Sequence, residues 1–90
     1  MPTYVIERTI PGAGAMSDAE WMEIAAKSNS VIANDTPEAK WLHSYVTGDK
    51  LYCVYESPSE EAIYKHAQCG GFPAEQVNEV KRMIDPSTGG

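Results

Sequence analysis

Both histidines of the chain, both cysteines, Glu56 and four of its five tyrosines fall between Trp41 and Cys69. The spacings are His43-x9-Cys53, Cys53-x2-Glu56, Glu56-x9-His66 and His66-x2-Cys69. None has the paired-cysteine spacing of a structural zinc module. Imidazole, thiolate and carboxylate donors together suit nickel, copper or zinc better than magnesium or calcium. The candidate metal ligands are therefore His43, Cys53, Glu56 and His66. Side chains alternate along a strand, so Cys53 and Glu56, three apart, point to opposite faces. Two donor groups are easier to build than one four-residue site: His43 with Glu56, and Cys53 with His66. A Cys53–His66 nucleophile pair is the catalytic counterpart, but a thiol buried under a helix is usually inert. The lone Gly12-Ala-Gly14 reads as a flexible turn and not as a dinucleotide fingerprint. Two cysteines cannot form a dense disulfide framework, and free thiols are the first reading; a metal ligand, a reactive thiol and a single bridge stay open.

The elements that must position these residues are legible in order. Thr3–Thr9, rich in β-branched and aromatic residues, predicts a strand. Ser17-Asp-Ala-Glu20 is a capping box opening a helix whose apolar face is Trp21, Ile24, Ala25, Ser28 and Ile32, and Asn34 to Pro37 stops it. Lys40–Thr47 and Lys50–Glu56 are two strands joined at Gly48-Asp49. Ser57-Pro-Ser-Glu60 predicts a second capping box, Gly70-Gly71 ends that helix, and Val77–Ile84 is a last strand. The order β-α-β-β-α-β in 90 residues predicts one α+β domain over 1–90. Its architecture is ferredoxin-like, an antiparallel sheet with two helices on one face, and residues 85–90 form a frayed polar tail.

A two-residue hairpin turn places Ser44 opposite Cys53 and His43 opposite Val54. Leu42, Ser44, Val46, Leu51, Cys53 and Tyr55 then face the helices. Trp41, His43, Tyr45, Thr47, Lys50, Tyr52, Val54 and Glu56 occupy the other face. Trp41, Tyr45, Tyr52 and Val54 make that open face too apolar for a monomer and predict a homodimer through it, a dimeric α+β barrel. Helix phase groups Ala62, Ile63, His66 and Ala67 on one buried stripe, so His66 must find a polar partner: a carbonyl, a tyrosine hydroxyl or a metal.

Seven Lys and Arg against 13 Asp and Glu give a formal charge of −6, with the positive residues scattered. This argues against nucleic acid and against anionic membranes. No apolar run approaches the roughly 20 residues of a spanning helix, and a strand follows Met1-Pro2 almost at once, so a signal peptide is not expected. The expectation is a cytoplasmic protein.

The stretch Lys40-Trp-Leu-His-Ser-Tyr-Val-Thr-Gly-Asp-Lys-Leu-Tyr-Cys-Val-Tyr-Glu56 resembles a small bacterial family of unknown function that contains nickel-binding proteins. The likeness continues through Pro58-x-Glu-Glu-Ala-Ile63 and His66-Ala67, and reaches from Tyr4-Val-Ile-Glu-Arg-Thr9 to Ile84-Asp-Pro86. It implies a ferredoxin-like fold, a homodimer and a divalent metal, nickel favoured over zinc or copper, held by His43, Cys53, Glu56 and His66 with Tyr45, Tyr52 or Tyr55 nearby. The expected function is non-catalytic metal binding. The alternative is a dimeric α+β barrel enzyme, monooxygenase- or isomerase-like, acting on a small aromatic with His66, Tyr55 and Cys53 in its pocket.

Overall fold

The computed structural model describes residues 1–90. Four strands, β1 (Thr3–Thr9), β2 (Lys40–Val46), β3 (Lys50–Glu56) and β4 (Gln76–Glu79), form an antiparallel sheet in the order β2-β3-β1-β4. The helices α1 (Asp18–Asp35) and α2 (Glu60–Gly70) fill the two crossovers. This is the ferredoxin-like α+β architecture expected from the element order. The central strands alternate strictly: Tyr4, Ile6 and Arg8 of β1 and Leu51, Cys53 and Tyr55 of β3 are buried, and their neighbours are half-buried. The core is thus one-sided. Tyr4, Ile6, Leu51, Cys53 and Tyr55 pack beneath Ile63 of α2, with Trp21 and Ile32 of α1 partly buried against them.

Local chemistry accounts for the helix ends. Ser17 caps α1 with both arms of the expected box, its Oγ accepting from the Glu20 amide while the Glu20 carboxylate accepts from the Ser17 amide. The second cap falls two residues later than predicted. Ser57 is fully buried because its amide donates to the Pro2 carbonyl at 3.0 Å, which extends the strand ladder past Glu56. Ser59 is the N-cap instead, accepting from the Ala62 amide, and Pro58 lies outside the helix. At the other end Gly71 closes α2 at φ 69°, a left-handed conformation that suits glycine.

One further expectation is corrected. The last strand ends at Glu79 and not at Ile84, because β1 supplies its only ladder: the Val80 amide bonds to the Thr3 carbonyl, and β1 has no residue beyond to pair with Lys81. Residues 86–89 form a short, exposed 3-10 turn capped by Asp85.

In β2, the register runs Trp41 opposite Tyr55 and then His43 opposite Val54, leaving Leu42 as the extra residue of a β-bulge. From His43 onward the faces are as predicted. Upstream they are exchanged: Trp41 belongs to the helix side, where its indole N–H donates to Ser44 Oγ at 2.9 Å, and Leu42 joins the open face. Trp41 is therefore not part of the open-face patch.

Candidate metal centre and interior pocket

The four sequence-predicted ligands lie on two sides of one sheet. On the open side, His43 is exposed on β2 beside Tyr45, whose ring meets it edge-on at 5.2 Å between centroids. Glu56 is half-buried at the end of β3, on the same face, with Lys40 opposite it in the ladder. At His43 lies a groove of about 510 Å³ lined by Val5, Leu42, His43, Tyr45 and Val54, flanked by Val80, Arg82 and Met83; Glu56 is outside this lining.

On the helix side, Cys53 is buried and outside any disulfide, and His66 is fully buried on α2. His66 is centred on the predicted stripe of Ala62, Ile63 and Ala67, all of them buried. Its Nε2 lies 3.1 Å from both Ser28 Oγ and Tyr55 OH. The tyrosine partner was one of the expected kinds; Ser28 was assigned to the α1 face as an apolar-stripe position and proves to be the second polar contact. Nδ1 is buried with no partner. An unmatched lone pair costs less than an unmatched N–H, which favours the tautomer with its proton on Nε2. Burial, with the positive Arg8 nearby acting in the same direction, lowers the His66 pKa from 6.5 to about 4. The imidazole is therefore neutral at pH 7. Burial also raises the Tyr55 hydroxyl above its usual value, opposed in part by its bond to Ser28 and by Arg8.

Neither side gathers three His, Cys, Asp or Glu side chains that could hold an ion within one chain. Each offers a pair. The open-side pair of imidazole and carboxylate is reachable from solvent, whereas His66 is fully buried under α2 with only its unpartnered Nδ1 left to donate a lone pair, and Cys53 lines the interior space beside it. The donor chemistry fits a borderline divalent ion, and completion of the coordination requires ligands from outside the chain.

The helix side also contains a feature that spacing did not reveal. A pocket of about 220 Å³ lies between α1 and the sheet, lined mostly by apolar groups, among them Trp21, Ile24, Trp41, Leu51 and Phe72, together with Arg8, Ser28, Cys53 and Tyr55. His66 stands behind this lining. Arg8 sits at a core-facing position of β1, which strand alternation would have identified.

Comparisons with known proteins agree with this architecture. Residues 4–80 match the family model described as "Nickel responsive protein SCO4226-like". The fold is similar to the crystal structure of SCO4226 from Streptomyces coelicolor A3(2), with a TM-score of 0.76 and 15% identity, covering 91% of this chain and 99% of that one. No curated protein matches the chain. With more than three-quarters of its length inside the family model, this chain belongs to the nickel responsive SCO4226-like family.

Proposed function

We propose that the protein is a small cytoplasmic, homodimeric and non-catalytic metal-binding protein, with nickel as the favoured ion and zinc or copper as the alternatives. The observation that carries this reading is the placement of His43 and Glu56 on one exposed, apolar sheet face that holds too few donors in a single chain. Two copies meeting through Leu42, Tyr45, Tyr52 and Val54 bury the patch and double the donors to two imidazoles and two carboxylates. That set suits a first-row divalent ion, and the description of the family as nickel responsive supports the choice of nickel.

When bound, the ion would act as a cross-link between copies. The test is calorimetric titration of the metal-free protein with nickel, followed by light scattering. Saturable binding at one ion per dimer is expected, with His43→Ala and Glu56→Gln each weakening it about 10-fold or more. If His66→Gln weakens binding as much as His43→Ala does, the ion belongs with Cys53 on the helix side. Absence of binding heat and of any nickel-dependent rise in melting temperature would overturn the reading.

A further inference from the structure

The helix-side pocket contains an ionised group with no counter-charge. Arg8 is only 3% exposed, and the other buried polar residues, Ser28, Thr36, Ser57 and His66, carry no charge at neutral pH. Its guanidinium donates to the Pro73 carbonyl and interacts with the Tyr55 hydroxyl, and the Phe72 ring centroid lies 5.8 Å away. No carboxylate reaches it: the ion pairs of the molecule are Lys50 with Glu7 and Lys81 with Glu79. A guanidinium carries five N–H donors in a planar fork, so a carbonyl and a hydroxyl, both neutral, leave donors unused and the charge unmatched. Taking such a group out of water without a partner is costly, and sequences rarely retain it without a use.

We propose that this pocket binds a small aromatic monocarboxylate, with its carboxylate on Arg8 and its ring against Trp21, Ile24, Trp41 and Leu51. Three observations define the class. The unmatched guanidinium selects an anion, and a carboxylate is the anion that its fork fits with two parallel bonds. The remaining wall is mostly apolar, with only a few hydroxyls, which disfavours hydrated inorganic anions and sugars. The volume of about 220 Å³ holds one ring and a short arm, since a cavity of about 150 Å³ accommodates benzene. Ser28 and Tyr55 hydroxyls on the same wall are within the pocket to orient the acid group. This site lies on the opposite side of the sheet from His43 and Glu56 and does not depend on metal binding.

Both tryptophans of the chain line the pocket, so its occupancy is read by intrinsic fluorescence. Metal-free protein titrated with phenylacetate should show a saturable change in tryptophan emission, matched by calorimetric heat, and the neutral isostere phenylacetamide should bind at least about 10-fold more weakly. Arg8→Met should reduce the difference between acid and amide to about twofold or less. Because Arg8 is buried and its replacement can disturb folding, Ala25→Phe provides a second variant: it fills the α1 wall and should abolish binding of both compounds while the circular dichroism spectrum and nickel titration are unchanged. The absence of a saturable response to phenylacetate, equal affinity for acid and amide, or undiminished binding to a folded Ala25→Phe protein would each overturn the proposal.

Discussion

At the scale of the residue, His66 is the most informative side chain. Its depressed pKa of about 4 means that the unfolded chain takes up a proton near pH 6.5 while the folded chain does not. Stability from this group is therefore complete above pH 6.5, declines as the pH falls toward 4, and is fully lost below that, a change of at most about 3 kcal/mol. Urea titrations at pH 4.5 and pH 7 should show this loss in the native protein and a clearly smaller one in His66→Gln. The two hydroxyls that share Nε2 give a companion prediction. Ser28→Ala and Tyr55→Phe should each cost about 1 kcal/mol or less, and together more than their sum, because either hydroxyl alone satisfies one imidazole nitrogen and only the double variant leaves it buried without a partner. A double-mutant cycle in urea checks the coupling.

At the scale of the element, caps and close approaches set the stability of the two helices. Ser17→Ala removes the side-chain half of the α1 box, the acceptor for the Glu20 amide, and leaves the residue-17 amide to donate to the Glu20 carboxylate; it should cost about 1 kcal/mol. Gly70→Ala should cost more, about 1–3 kcal/mol, because a Cβ there falls 2.3 Å from the Phe72 ring. Displacing that ring also alters the wall of the interior pocket, so denaturant midpoints and tryptophan emission should shift together. The same elements show what the sequence discloses and what it hides. Ser17 with Glu20, the buried stripe of Ala62, Ile63, His66 and Ala67, and the pairing of Ser44 with Cys53 all follow from local spacing, and all are present. The exchange of Trp41 and Leu42 does not follow, since both are large and apolar and nothing local marks which one the bulge leaves unpaired. The length of β4 was equally hidden, being set by where β1 begins. Of the candidate site, the location of each donor on its face was legible. The pocket was anticipated only in the alternative reading, through Tyr55 and Cys53; Arg8 and the rest of its wall were not, because that wall combines β1, α1, β2, β3 and Phe72, residues remote in sequence.

At the scale of the whole molecule, the dimensions indicate a surface that a single chain leaves uncovered. The Cα radius of gyration is 13.8 Å, against about 12 Å for a compact domain of this length. The accessible area is 5734 Å², against roughly 5,200 Å² from the size scaling. Tyr45 is 62% exposed and Leu42 44%, and beyond β4 Met83 and Ile84 are exposed as well. If two copies meet on that face, each brings a charge of −6, and added salt should strengthen their association by screening the repulsion. Light scattering should give a dimer whose dissociation constant falls as salt rises, and Tyr45→Glu should give a monomer that keeps its circular dichroism.

The bulge at Leu42 has a bearing on aggregation. β2 is an edge strand, and β4, the opposite edge, is only four residues long. A straight edge strand offers a regular row of free amides and carbonyls onto which another chain can add, the first step toward fibrils and runaway assembly. The displaced Leu42 breaks that row on one side, and brevity protects the other. With both edges blunted, growth by strand addition is blocked in either direction, so an exposed apolar surface can persist on this small sheet without seeding an open-ended polymer.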